Sequence, residues 1–402
     1  MSNPLQDPQF FRDPYSAYAN LRSSAPVQKV PTGSGGRYSY LVTGHAEARA
    51  AFNDPRLSKD TARFFADKPS QRDLHPAVSQ TMLASDPPQH TRLRSLVTKA
   101  FTRGTVDRLR PYIQQVTDDL VDDFLPRGRA DLVEDFAVPV PVTVICQMLG
   151  VPEADRAAVR QWSNGLFAAG RPDQIDVASH AIADYMTELV EAKRQTPDSS
   201  LLNDLVAARD GEDKLSEFEL VSLAVLLLVA GHETTTNFIG NAALALLQHP
   251  DSLVRLRNDP DLLDSALDEL LRFESPVGIA TFRYSTEALT LGGTEIPPGV
   301  PVLIAPGAAN RDPRRFPDPD RLDLDRDANG HLAFGHGIHR CVGAPLARAE
   351  AQIALTTLFT RCDQLRLAVP AEDLQWRHTR LMRGLESFPV TFSKTTQRSA
   401  TA

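Results

Sequence analysis

Cysteine is scarce: the 402 residues hold three, Cys146, Cys341 and Cys362. So small and odd a set excludes a disulfide framework and leads to the expectation of a reducing, cytoplasmic setting. Positive charge is in the minority, with 43 Lys and Arg against 51 Asp and Glu, a formal net charge of −8. That balance excludes a uniformly basic nucleic-acid-binding surface, although it permits a local basic patch. No apolar run approaches the roughly 20 residues that a membrane helix needs. The longest, residues 223–231, stops at His232 and Glu233. The first eleven residues include Asn3, Asp7 and Gln9 and lack a signal-peptide core. Neither nucleic acid nor membrane is expected as a partner. Internal repeats and Gly/Ser linkers are missing too, and the polar tail 393–402 is expected to fray.

What remains is ordinary globular composition, 42% hydrophobic and 23% charged. Such a length buries roughly three quarters of its unfolded surface and needs no staple. At about 150 residues per domain the length alone suggests two to three domains. Residues 27–42 read as a hairpin around a Gly-rich turn, and residues 289–304 as another, broken by Gly292-Gly293 and Pro297-Pro298-Gly299. The proline-rich stretch 297–319 reads as ordered coil. Residues 131–150, 178–193 and 262–273 carry apolar residues at three-and-four spacing and read as helices, the first interrupted by Pro139 and Pro141. The clearest helix covers 216–248. Ser216 and Glu219 form a capping box, and His249-Pro250 ends it. Its centre, residues 223–230, is apolar on every side, which places it inside the protein. Polar residues in the following Gly231-His232-Glu233-Thr234-Thr235-Thr236 therefore need a reason.

The sharpest segment is residues 334–347, Phe-Gly-His-Gly-Ile-His-Arg-Cys-Val-Gly-Ala-Pro-Leu-Ala. Its glycines permit positive φ and close backbone approach. A helix follows, with Leu346, Ile353, Leu355 and Leu358 in its apolar set. A cysteine just before a helix N-terminus is favoured as thiolate, hence as a metal ligand or nucleophile. Two blander readings stay open here: Cys341 as a small buried hydrophobe, or a zinc site from His336, His339 and Cys341 that lacks a fourth ligand.

At each defining position this segment resembles the haem-binding loop of the cytochromes P-450. The resemblance implies that Cys341 is the axial thiolate of haem b iron, donating electron density that favours O–O cleavage. It implies that Phe334 shields the sulfur, that Gly335, Gly337 and Gly343 let the loop lie against the porphyrin, and that His339 donates to a haem propionate. Ala230 and Gly231, with Glu233 and Thr234, look like the family's oxygen-activation motif. There Thr234 would bond the Ala230 carbonyl, open the helix locally, and hydrogen-bond dioxygen, while Glu233 helps supply protons. The rival His-Glu-x-x-His pattern fails because its fifth position is Thr236.

Two further motifs fit the same family. Glu269 and Arg272 match its Glu-x-x-Arg pair, a structural lock completed by a third arginine for which Arg321 is the candidate. The spacing alone is weak, since Glu153/Arg156 and Glu191/Arg194 repeat it. His90 and Arg94, four apart on a helix, would grip a propionate, and Arg283 matches another propionate position.

The resemblance covers residues 13–392 and is strongest to soluble bacterial members that tailor macrolides, polyketides and similar bulky apolar molecules in actinobacteria. It implies a mainly α fold: one large helical domain over 1–402, with small β-sheets and a long central helix. It also implies a monooxygenase that hydroxylates or epoxidises an apolar small molecule with dioxygen. No dinucleotide loop is present, because residues 335–340 miss the third glycine. Electrons are thus expected from a ferredoxin and its reductase, docking on the basic segment 90–110, which holds Arg92, Arg94, Lys99, Arg103, Arg108 and Arg110 against Asp107. A monomer is expected. A peroxide-driven haem enzyme and a non-catalytic haem or ligand-binding protein are the alternatives. Substrate contacts are expected in loops 58–85, 162–176 and 276–281.

Overall fold

Among the described residues, helices form the body of the molecule and four small sheets flank it. The computed structural model describes residue 5 and residues 7–32, 37–67, 72–167, 171–209 and 215–394. The helices that shape the interior are α1 (His45–Asn53), α2 (Gln89–Thr98), α3 (Arg103–Phe124), α4 (Pro139–Leu149), α5 (Arg156–Leu166), α6 (Pro172–Gln195), α7 (Glu217–Gln248), α8 (Leu262–Phe273) and α9 (Ala344–Arg361). The strands are β1 (Val27–Pro31), β2 (Tyr38–Val42), β3 (Leu57–Ser58), β4 (Arg129–Asp131), β5 (Tyr284–Ser285), β6 (Leu289–Leu291), β7 (Thr294–Ile296), β8 (Val302–Ile304), β9 (Cys362–Leu367) and β10 (Pro389–Lys394).

The capping box is formed as expected: the Ser216 hydroxyl accepts from the Glu219 N–H at 3.1 Å, and the Glu219 carboxylate accepts from the Ser216 N–H at 3.0 Å. From there α7 runs for 32 residues. Its length and composition would suit a membrane span, but its sides are covered by α4, α6 and α9. It is the spine of the main hydrophobic core. Two smaller cores lie beneath the β1–β2–β8 sheet and the N-terminal helices.

β1 and β2 pair antiparallel, with Val27 opposite Val42. The turn residues 33–36 lie outside the described residues. The second expected hairpin is shorter than 289–304. Gly292 and Gly293, both at positive φ, turn β6 into β7, and the chain then leaves so that β8 joins β2 in parallel. The stretch 297–319 is likewise not coil throughout, since it holds β8 and a helical turn at Pro306–Ala309. The expected helix 131–150 resolves into three pieces. Asp131 ends β4, residues Val133–Ala137 form a π turn, and Pro139 opens α4, because proline suits the first helical turn. Gly150, at φ +68°, closes α4. The helix expected at 178–193 extends to Pro172–Gln195, and Trp162 and Asp176 thus lie in α5 and α6 rather than in a loop. Of the expected tail, Ser393 and Lys394 end β10, and 395–402 fall outside the described residues.

The segment 72–75 is fastened to α6. Arg72 Nε donates to Asp176 at 2.9 Å, the Asp73 N–H to the same carboxylate at 3.1 Å, and the His75 N–H to the Ser179 hydroxyl at 3.0 Å.

Candidate active site

The cysteine loop closes on itself. The Cys341 N–H donates to the Phe334 carbonyl at 2.9 Å and the Arg340 N–H to Gly337 at 3.0 Å. Gly335 and Gly337 adopt φ +70° and +74°, which only glycine takes readily. A Cβ at Gly337 would lie 2.9 Å from the Phe52 carbonyl, so this glycine seats the loop on α1. Gly343 leads into α9 with a negative φ, and a Cβ there would make only ordinary contacts. Cys341 is accessible, yet burial is the foremost influence on its thiol and pushes its pKa up. The backbone N–H groups of Gly343 and Ala344 and the cations Arg94 and Arg340 act in the opposite direction. A sulfur that is accessible but remote from bulk water lies on the wall of an interior cavity. His336 turns away from it to accept from Arg49 at 3.3 Å, and among the described residues no three His, Cys, Asp or Glu side chains gather as a metal site. The zinc alternative has no geometric support there.

α7 faces the same interior. Although most of its turns are buried, Ala230 is exposed, and Leu226 and Thr234 are half-buried. Four-residue spacing puts these three on one stripe. Thr234 Oγ1 donates to the Ala230 carbonyl at 3.4 Å, as expected, but α7 remains α-helical without a break. Gly231, expected beside the cofactor, also serves the packing of α7. A Cβ there would meet the Ile145 side chain at 3.0 Å, so the glycine permits close crossing of α7 and α4. Glu233 is buried and ion-paired with Arg377. His232 bonds Leu228 at 2.8 Å and the Ser163 hydroxyl of α5 at 3.1 Å, and burial lowers its pKa.

Around the cavity stands a group of buried nitrogens without anions. His90 is 1% exposed, and neither ring nitrogen has a partner. His339 Nδ1 is likewise unpartnered, and the two rings lie 4.0 Å apart. Burial, then Lys59, His90, Arg283 and Arg94, depress the His339 pKa to about 2. Arg283 is 3% exposed and rests over the Phe52 ring at 5.0 Å. Burial lowers its pKa to about 10 against the pull of Asp86, and no carboxylate among the described residues is bonded to it. Arg94 Nη2 donates to the Arg340 carbonyl at 2.6 Å, tying α2 to the cysteine loop. Orphaned donors of this kind are rare in native proteins and call for a ligand. Two flexible carboxylates, as haem carries, fit the donor set, and Cys341 fits the axial position.

The structural lock also differs from expectation in one residue. Arg272 holds Glu269 bidentately at 2.6 and 2.8 Å, and both side chains are fully buried. The third arginine is Arg326, whose Nε donates to Glu269 at 3.2 Å. Arg321 points outward to Asp323 and contributes only its carbonyl, which accepts from Arg272 at 3.3 Å.

Three residues near the cavity carried no readable sequence signal. Lys59, 2% exposed, follows β3, and Glu350, 1% exposed, lies on α9. Both Glu350 carboxyl oxygens lack a hydrogen-bond partner of good geometry, although Thr235 lies against them, and burial raises its pKa well above the carboxylate range. Flanking Ala349 and Ala351 are the only hint that it faces inward. Arg377, the partner of Glu233, is the third.

Comparison with known proteins agrees with this geometry. Residues 171–365 match the family model described as Cytochrome P450. The chain is 48% identical over 391 residues to Cytochrome P450 107B1 of Saccharopolyspora erythraea, covering 96% of each. It is 41% identical to the Mycinamicin IV hydroxylase/epoxidase of Micromonospora griseorubida, covering 93% of this chain and 94% of that one. Among solved structures, the tirandamycin C-bound P450 monooxygenase TamI superposes with a TM-score of 0.90 at 45% identity, covering 96% of this chain and 99% of that one. The fold expectation, mainly α with small sheets and a long central helix, thus holds, and the chain belongs to the cytochrome P450 family of haem-thiolate monooxygenases.

Proposed function

We propose that the chain is one haem-thiolate monooxygenase domain that hydroxylates or epoxidises a bulky apolar small molecule of macrolide or polyketide type. The names of the relatives just described support the substrate class. The observation that carries the assignment is the accessible Cys341 on its glycine loop, flanked by the buried unpaired donors. His90, Arg94, Arg283 and His339 would hold the haem carboxylates, and Cys341 would ligate the iron. Phe334, Gly335 and Gly343 would line the thiolate side, and Ala230 would leave room on the other. When bound, haem supplies the activation of dioxygen that no side chain provides.

The protein's own part is to bind, orient and protonate. The apolar stripe Leu226–Ala230 excludes water and seats the substrate. Thr234 positions a proton beside dioxygen through its hydroxyl. Glu233 takes part only by leaving Arg377, because a carboxyl engaged in a buried ion pair is not free to relay protons. Glu350, buried on α9 against Thr235 with its pKa raised by burial, is a second carboxyl of the core rather than a partner of Thr234. Thr234→Ala should still bind haem and substrate while NADPH consumption runs on without product.

Electrons would come from a ferredoxin and its reductase. Lys99 and Arg103, exposed at the junction of α2 and α3, have no ion pair among the described residues, and Arg340 and Ile338 are exposed on the cysteine loop. A cationic face of this kind attracts an acidic ferredoxin. Monomeric state and cytoplasmic location belong to the same reading. Turnover of candidate apolar substrates, chosen by substrate-induced spin shift, should require ferredoxin, reductase and NADPH. Equal product from peroxide alone would favour a peroxide-driven enzyme, and spin shift without product under any donor would favour a binding protein.

A further inference from the structure

The group of unpaired donors contains one member that neither motif nor resemblance assigned. Lys59 sits directly after β3, and its ammonium is buried with a hydroxyl as its hydrogen-bond partner: Nζ donates to Thr281 Oγ1. An ammonium has three N–H donors, so two remain. Its place is fixed from two sides. The Lys59 N–H donates to Asp86 Oδ1 at 3.0 Å, and Asp86 in turn accepts the His90 N–H through its carbonyl at 3.0 Å. On the other side Thr281 is two residues from Arg283. Lys59 thus lies between His90 of α2 and Arg283 before β5. Asp86, the acid acting on Lys59, spends its second oxygen on the Ser58 hydroxyl rather than on the ammonium.

A buried ammonium bonded to no carboxylate is costly, and here Arg283 and His90 stand near it as further cation-capable groups. In a folded protein such an arrangement persists when a bound anion compensates it. The pattern fits a carboxylate with two oxygens, because several side-chain donors from separate elements converge.

We propose that Lys59, braced by Thr281, is a further carboxylate-holding residue of the haem site. It would share a propionate with the residues it stands between, His90 and Arg283. This rests on the haem-thiolate reading above. A carboxylate could also come from an acidic substrate, and the experiment separates the two sources. Because β3 and Lys59 open the segment 58–85, the same contact would tie cofactor binding to the order of a substrate-facing loop.

The test uses the holoenzyme of the parent, Lys59→Met and Lys59→Arg. All three should give the thiolate-type spectrum of the reduced carbon monoxide complex. If the parent itself lacks that spectrum, the haem-thiolate reading fails and this proposal with it. With the spectrum intact, haem transfer from substrate-free Lys59→Met to apomyoglobin should be faster on the order of tenfold, and Lys59→Arg should recover most of the difference. The resonance-Raman propionate bending band should shift in Lys59→Met, a change that a merely structural lysine would not produce. Parent-like haem loss and an unmoved band would overturn the proposal. Parent-like haem loss with weakened spin-shift binding of a fatty acid, but not of the matching alcohol, would overturn it in favour of a substrate carboxylate.

Discussion

Two buried clusters of charge sit in this molecule, and they are built on opposite principles. Around Glu269, every charge is answered. Arg272 and Arg326 converge on one carboxylate, and the remaining Arg272 hydrogens go to the Asn310, Pro319 and Arg321 carbonyls at 3.0, 2.8 and 3.3 Å. Around His339, five cation-capable side chains (Lys59, His90, Arg94, Arg283 and His339) gather with only Asp86 acting on three of them from a distance, and none is bonded to a carboxylate among the described residues. The protein completes the first cluster by itself. The second is complete only with something bound, and its chemistry names that something as an anion. A closed cluster reports architecture, and an open one reports a ligand.

Substitutions can break this contrast. Arg272→Leu should be the most damaging, because it leaves Glu269 charged and buried. A loss on the order of 3 to 5 kcal/mol is expected in chemical unfolding of the holoenzyme, and a midpoint close to the parent's would mean that the cluster is not closed. Arg283→Met should act on the ligand instead. The variant should fold with its thiolate spectrum intact but lose haem roughly 30-fold faster in a transfer assay. If unfolding shifts while haem loss does not, the two clusters are of one kind.

Smaller effects sharpen the contrast. Glu350 is a third case, a buried carboxyl with neither cation nor good hydrogen bond, which keeps its proton instead. Its folded pKa lies above its unfolded one, so the folded state binds the extra proton. Stability should therefore be greatest in acid and fall as pH rises above the ordinary carboxyl range. Glu350→Gln should remove that part of the slope, and identical pH profiles for the two proteins would refute the assignment. Least affected should be Arg321→Ala. Its side chain is exposed and bonds only Asp323, so unfolding should change by no more than about 0.5 kcal/mol. Arg326→Ala should cost clearly more. The reverse order would restore Arg321 as the third arm of the lock.

What could be read from the amino acids alone follows from the range of the forces involved. The ends of α7 were legible because a capping box and a His-Pro stop act within four residues. The cysteine loop was legible because its turns demand glycine locally. The third arginine was not. Several arginines occupy residues 311–326, and choosing Arg326 over Arg321 depends on how a long coil folds back onto α8. Lys59 and Glu350 were invisible for a related reason. A lone lysine after a two-residue strand and a lone glutamate in a helix ordinarily face water, and only tertiary packing turned these inward. The packing role of Gly231 was hidden too, because only the crossing of α7 and α4 brings Ile145 to within 3.0 Å of where its Cβ would stand.

The unbroken course of α7 has a practical consequence. Leu226, Ala230 and Thr234 stand four residues apart on a straight rod, roughly 6 Å of axial rise between neighbours. On the function proposed above, the stripe would work as a ruler laid along the substrate. Bulk added at 230 would then press on a part of the substrate about 6 Å from the part met by bulk added at 226. Graded substitutions at these two positions should thus move the site of oxidation along a bound molecule stepwise, a route to altered regiochemistry that leaves Cys341 and its loop untouched.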